Sequence, residues 1–180
     1  MITHDEARRL IETPAAGLPA LLARAGEARA RKPVTFSKKV FVPLTTLCRD
    51  YCGYCTFRRD PGEAGAHTMS PEEVVALAQA GARLGAKESL FSLGDKPEAR
   101  FPSHREFLRR HGHRTTLSYL RATCALVLAE SSLLPHANPG LMAERDLAAL
   151  REVNVSMGLM LETVSERLLG AGQAHDRAPD

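Results

Sequence analysis

Short β-branched or apolar runs alternate with helical segments along most of this chain, and that alternation is the strongest constraint on its fold. Val40-Phe41-Val42-Pro43-Leu44 reads as a buried strand with Pro43 near its end. Ser70-Pro71-Glu72-Glu73 is a helix start, with Ser as N-cap, Pro at the first helical position and Glu at the third. Val74, Leu77, Ala78 and Leu84 supply the apolar face of that helix, and Gly85 stops it. Glu88 to Gly94 reads as a second strand, and a polar, basic stretch then leads into a helix over about Leu117 to Ser131. A short third strand and its exit loop cover Leu134 to Gly140, Met142 to Leu150 is helical, and Val153 to Glu162 is a fourth strand. Glu166, Arg167 and Leu168 begin the next helix.

Strands alternating with helices imply an α/β fold with a parallel sheet and crossover helices. The segment lengths suit units of a TIM-like (β/α) barrel, in which chemistry collects at the C-terminal ends of the strands. The chain reads as two parts: a helical N-terminal extension over 1–35 and a barrel domain over 36–180. In the extension, Thr3 and Glu6 form a capping box, and Leu18, Leu21 and Leu22 make a short apolar stripe. The polar end Ala178-Pro179-Asp180 brings no fifth strand, so the barrel reads as partial.

With 44% hydrophobic and 25% charged residues among 180, the chain can bury a core and is not a disordered one. Lys and Arg number 24 against 21 Asp and Glu, and a net charge of +3 gives no case for a nucleic-acid partner. No apolar run approaches the ~18–20 residues that cross a bilayer, so no membrane partner is expected. The acidic start Met1-Ile2-Thr3-His4-Asp5-Glu6 has no apolar core of a secretory leader, and the expected location is cytoplasmic.

Cys48, Cys52 and Cys55 fall within eight residues, directly after the first strand. In a reducing compartment such clustering points to a metal or catalytic site rather than to disulfides. Cys124 lies alone in an apolar helix and reads as a buried small hydrophobe. A structural zinc wants four ligands, and beyond these three thiols only His67 is near in sequence. A 4Fe–4S cluster held by three cysteines leaves one iron open to a substrate. The spacing favours the cluster, with a zinc-stabilised binding module as the alternative.

Cys48-Arg49-Asp50-Tyr51-Cys52-Gly53-Tyr54-Cys55 resembles the signature of radical S-adenosylmethionine (SAM) enzymes, including the aromatic residue before the third cysteine. Within that superfamily, the segments Val40 to Pro61, Leu93 to Glu98, Leu134 to Gly140 and Ser156 to Thr163 are similar to the branch that makes the deazaflavin chromophore FO, 7,8-didemethyl-8-hydroxy-5-deazariboflavin. The resemblance implies a radical SAM barrel, here with about four of its usual six βα units, and two cofactors, a 4Fe–4S cluster and SAM. Cys48, Cys52 and Cys55 would hold the cluster, and the open iron would take the amino and carboxylate groups of SAM. Electron donation to SAM would then give methionine and a 5′-deoxyadenosyl radical.

Further roles follow from the same resemblance. Tyr54 would face the adenine. Gly94 and Asp95 fall where the superfamily carries a Gly-Glu pair for the methionine amino group, Asp being one methylene shorter. Glu162, expected at the end of a very apolar strand where an unpaired carboxylate is costly, would also serve the bound cofactor. His136 and Asn138 could face the substrate or satisfy turn backbone, and Arg58 and Arg59 could line the cavity. Arg109, Arg110, His111, His113 and Arg114 read as solvated surface, as do Lys38 and Lys39.

The implied activity is a lyase reaction that abstracts hydrogen from a tyrosine–ribitylaminouracil adduct and closes the ring with loss of ammonia. Its partners would be that small-molecule substrate, a tyrosine-coupling radical SAM enzyme or fused domain, and an electron donor. The coupling enzyme itself and a catalytically inert fragment are the alternatives.

Overall fold

The computed structural model describes residues 2–29 and 33–178. It forms two compact units, Met1–Phe36 and Ser37–Asp180.

The first unit holds α1 (His4–Ile11) and α2 (Leu18–Ala28). Thr3 Oγ1 accepts from the Glu6 backbone N–H at 3.2 Å, which satisfies one of the unpaired donors of the first turn. The reciprocal half of the expected capping box gives way to an ion pair, because the Glu6 carboxylate takes Arg24 at 2.6 Å. Neither helix buries a residue, and Leu18 and Leu22 remain exposed.

The second unit is built on a four-stranded parallel sheet in sequential order. Its strands are β1 (Lys39–Thr45), β2 (Glu88–Leu93), β3 (Leu134–Asn138) and β4 (Ser156–Met157). Val42 pairs with Phe91 and Phe91 with Ala137, so one fully buried row runs across three strands. Helices α3 (Pro71–Arg83), α4 (Pro102–Arg110), α5 (Thr116–Glu130) and α6 (Glu144–Arg151) lie in the connections. Val74 and Ala78 of α3 and Leu120, Cys124 and Val127 of α5 are fully buried in the same core.

Local chemistry accounts for the boundaries. Ser70 and Glu73 form a full capping box at α3, and Gly85, at φ +80°, takes the left-handed conformation that ends the helix. Gly81 lets α3 settle on β1, since a Cβ there would meet Val40 Cβ at 2.8 Å.

Four expectations need correcting. Leu84 is the C-cap residue of α3 and is exposed, so it adds nothing to the apolar face. The polar stretch before α5 contains helix α4, whose buried residues are His104 and Leu108, with Phe107 half-buried against the core beside them. Within the basic run, Arg109 and Arg110 are exposed, but His111 and His113 pack against Tyr119 with ring centroids 5.7 and 5.4 Å away.

The fourth correction is the largest. The expected strand over Val153 to Glu162 shrinks to Ser156–Met157. Gly158 N–H donates to Ala137 O at 3.0 Å, after which β3 ends and Pro139 offers no N–H to continue a ladder. Residues 158–165 therefore run on without regular structure, and Leu159, Met160, Leu161 and Val164 are exposed. The helix expected from Glu166 is a single 3₁₀ turn, Glu166–Leu169.

Candidate cofactor site

The chain leaves β1 through buried Leu47 and enters the cysteine loop at the C-terminal edge of the sheet. Cys48 is pinned from two sides: its sulfur accepts the backbone N–H of Asp50 at 3.4 Å and of Asp95 at 3.2 Å. Cys55 N–H donates to Cys52 O at 3.1 Å, and Cys55 Sγ accepts from Arg58 N–H at 3.4 Å. Burial pushes the Cys48 thiol up to about 11, with the Asp50 and Asp95 carboxylates adding to it, and raises Cys52 as well. Such thiols are neutral near pH 7 and become thiolates only beside a compensating cation, as on a metal centre.

Two further segments brace the loop. Tyr51 N–H donates to Arg177 O at 3.0 Å and Gly53 N–H to Ala174 O at 2.7 Å, so residues 174–177 lie across it. The Tyr51 hydroxyl donates to Asp60 Oδ1 at 2.8 Å, and the Arg58 guanidinium covers the Tyr51 ring at 3.5 Å. Arg58 also pairs with Asp60, and these bonds hold the Asp60 carboxyl below its usual range.

The end of β2 forms the opposite wall. Gly94 N–H donates to Thr45 O at 3.1 Å, which keeps β2 against the start of the cysteine loop. Asp95 is only 8% exposed. Its Oδ2 accepts Arg49 Nε at 2.6 Å, and Arg49 N–H returns to Asp95 O at 3.0 Å. Its Oδ1 is buried with no hydrogen-bond partner, and Lys96 Nζ stands 3.9 Å away, beyond bonding reach. Gly140, at φ +80°, faces that oxygen, and a Cβ there would come within 2.8 Å of it.

A cavity of about 460 Å³ is bordered by Cys48, Cys52, Cys55, Tyr54, Gly94, Asp95 and Glu162, so the seven residues that the resemblance assigns to the cluster and SAM meet on one space. That volume is of the size that encloses a small molecule. Asn138 and Arg58 line it too, and a second hollow of about 530 Å³ shares Asp50, Tyr54, Asp95, Gly140 and Glu162. Tyr54 is half exposed, its ring edge-on to His175 at 5.1 Å.

Several expected placements change. Glu162 is exposed and ends no strand, so the burial argument for it fails, although it does reach the cavity. His136 shares a face of β3 with Asn138 and bonds it and Ser156, but does not itself border the cavity. Arg59 donates to the carbonyls of Thr56 and Arg58 and builds the loop. His67 pairs with Glu73 at 3.0 Å and lines a separate hollow, away from the cysteines. Among the described residues, no three His, Cys, Asp or Glu side chains close around a single-ion position.

The residues present fit a larger iron–sulfur group with a ligand above it. Three free thiols border one cavity, backbone N–H groups point at two of their sulfurs, and an unpaired buried carboxylate oxygen lies alongside. Arg49 and Gly140, which frame that oxygen, escaped the sequence reading. The only sequence signals for them were a cation inside the cysteine motif and a Pro-Gly step after β3.

Fold and site together define a partial TIM-like barrel carrying a cysteine loop at its catalytic edge, and the radical SAM superfamily profile matches residues 42–178. The chain belongs to the radical SAM enzyme superfamily, and its cofactors are the 4Fe–4S cluster and SAM. Among curated relatives, it is 48% identical to the FO synthase of Streptomyces coelicolor over 98% of this chain and 22% of that protein. It is 46% identical to the 7,8-didemethyl-8-hydroxy-5-deazariboflavin synthase of Methanopyrus kandleri over 81% of this chain and 44% of that one. The chain thus spans less than half the length of these relatives. Methylornithine synthase (PylB) aligns structurally with a TM-score of 0.68 at 21% identity, over 98% of this chain and 50% of its own. The FeFe-hydrogenase maturase HydG from Carboxydothermus hydrogenoformans aligns at 0.57 and 24%, over 73% and 28%. Both structural likenesses speak for the fold alone. No helix among the described residues is long and apolar enough to cross a membrane.

Proposed function

We propose that this chain carries the radical SAM domain of a cytoplasmic lyase that forms FO from a tyrosine–ribitylaminouracil adduct by hydrogen abstraction, ring closure and release of ammonia. Identity of 46–48% to proteins named for FO formation supports the substrate class. The observation that carries the site reading is the unpaired, buried Asp95 Oδ1 on the same cavity as the three cysteines.

In this reading Cys48, Cys52 and Cys55 hold the cluster, which when bound supplies the electron that splits SAM into methionine and a 5′-deoxyadenosyl radical. The chain's own residues bind and orient. Backbone N–H groups of Asp50, Asp95 and Arg58 donate to the cysteine sulfurs and temper their charge. Asp95 Oδ1, with Gly94 holding it in place, accepts the methionine amino group. Tyr54 offers its ring to the adenine, and Glu162 at the cavity edge serves the bound cofactor. Leu159 and Met160 give the cavity an apolar flank.

The partners in this proposal are the adduct, the tyrosine-coupling radical enzyme or a fused domain that makes it, and an electron donor. The test is anaerobic reconstitution of the chain with iron and sulfide, followed by incubation with SAM, reductant, the coupling enzyme, tyrosine and 5-amino-6-ribitylaminouracil. Brown protein, 5′-deoxyadenosine and fluorescent FO are the expected results. Colourless protein with one bound zinc would sink the cofactor reading. Adduct formation by this chain without the coupling enzyme would reassign it to the coupling step.

A further inference from the structure

Asp95 is held by one residue and bared by another. Arg49 grips it twice, through Nε to Oδ2 at 2.6 Å and through its backbone N–H to the Asp95 carbonyl at 3.0 Å. A charge-assisted bond of that length ties down the carboxylate oxygen it reaches. The other oxygen, Oδ1, stays unpartnered although the side chain is nine-tenths buried. A buried carboxylate oxygen with no donor is costly unless something arrives to satisfy it. Gly140 faces Oδ1 at a distance where any side chain would cover it.

The other charged groups around the pair do not complete it. Lys96 Nζ lies 3.9 Å from Oδ1, and Lys96 is a non-glycine residue at positive φ (33°), a backbone conformation common at sites that hold ligands. Asp50 Oδ1 is 3.6 Å from Arg49 Nε, so Arg49 leans to the shorter contact with Asp95.

We propose that Arg49 is the positioning residue of the site: by locking Asp95 Oδ2, it makes Oδ1 the one acceptor presented to the α-ammonium of SAM. This rests on the reading of Asp95 as the ammonium acceptor given above. It also explains how an Asp can serve where the resemblance implies a longer Glu, because the carboxylate is aimed rather than left to swing. Arg49 itself need not touch the ligand.

The experiment is calorimetric titration of cluster-reconstituted protein with SAM and, separately, with the SAM analogue lacking the α-amino group, with affinities normalised to iron content. The proteins are wild type, Asp95→Asn, Arg49→Gln, Arg49→Lys and the double variant Arg49→Gln/Asp95→Asn. Arg49→Gln should weaken SAM binding about tenfold, the scale of one charged hydrogen bond, and leave the analogue's affinity unchanged. Arg49→Lys, which keeps the charge and loses the planar Nε donor, should fall between. The double variant should bind no worse than Asp95→Asn alone, since both act through one oxygen. Wild-type affinity in Asp95→Asn would remove the underlying reading of Asp95. A loss in Asp95→Asn with none in Arg49→Gln would overturn the Arg49 proposal alone. Equal loss for SAM and the analogue, additive losses in the double variant, or failure of both Arg49 variants to take up iron would overturn it too, since Arg49 would then be a structural residue of the loop.

Discussion

Gly94 lies so close to Cys48 that a Cβ at position 94 would stand 2.5 Å from Cys48 Cβ and 2.1 Å from the Leu47 carbonyl oxygen. The second of these neighbours is backbone and cannot rotate away. Gly94→Ala should therefore push the end of β2 off the cysteine loop, costing ~1–3 kcal/mol of stability and most of the bound iron. Iron and sulfide assays after reconstitution, beside a urea unfolding curve, check both; full iron loading would show the contact to be slack.

Among the four cysteines only those on the loop should matter for iron. Cys124 is fully buried in α5, 3.7 Å from Asn154 Oδ1, and burial pushes its thiol up to about 12. Cys124→Ala should cost ~1 kcal/mol through a small cavity and leave iron content unchanged, while Cys52→Ala should abolish it. Iron loss from Cys124→Ala at undiminished folding would contradict the assignment.

Asp95 and Glu162 border one cavity with very different burial, and their variants should separate accordingly. Asp95→Asn removes a buried charge and should weaken SAM binding about tenfold, whereas Glu162→Gln, exposed and screened by water, should cost no more than about threefold. Titration of reconstituted protein gives the comparison, and a larger effect at Glu162 would reverse the ranking.

His104 is buried between Thr116 Oγ1 at 2.9 Å and Thr68 Oγ1 at 3.3 Å, and burial lowers its imidazole to about 4. The unfolded chain, titrating near 6.5, binds a proton that the folded one refuses. The stabilising contribution is thus complete above about pH 6.5 and drains away as pH falls towards 4, by ~3 kcal/mol in all. Urea unfolding at pH 7.5 and pH 5 should show a drop in wild type that is smaller in His104→Phe; identical drops would place the effect elsewhere.

What the sequence made legible were features with a local cause. Ser70 and Glu73 announce α3, the β-branched run announces β1, and the cysteine spacing announces the loop. Helix α4 stayed hidden because its core-facing residues are one histidine, one phenylalanine and one leucine in a strongly charged segment. The apolar run after β4 misled because composition alone cannot tell that Pro139 ends the neighbouring ladder. Within the site, the motif residues were readable, but the Arg49–Asp95 pair joins positions 46 residues apart and exists only once β2 lies beside the loop. Gly140 carried no sign of its role until the oxygen it faces was located.

The two backbone hydrogen bonds from Tyr51 and Gly53 to Arg177 and Ala174 set an order of assembly. The cysteines leave the ribosome early, yet the strap across their loop is made from residues synthesised long after them. Until that strap arrives the loop has only its own turns and the end of β2 to shape it, so iron offered during synthesis meets a looser set of thiols than iron offered to the finished chain. A nick just ahead of residue 174 would leave every cysteine in place while removing part of the frame around them.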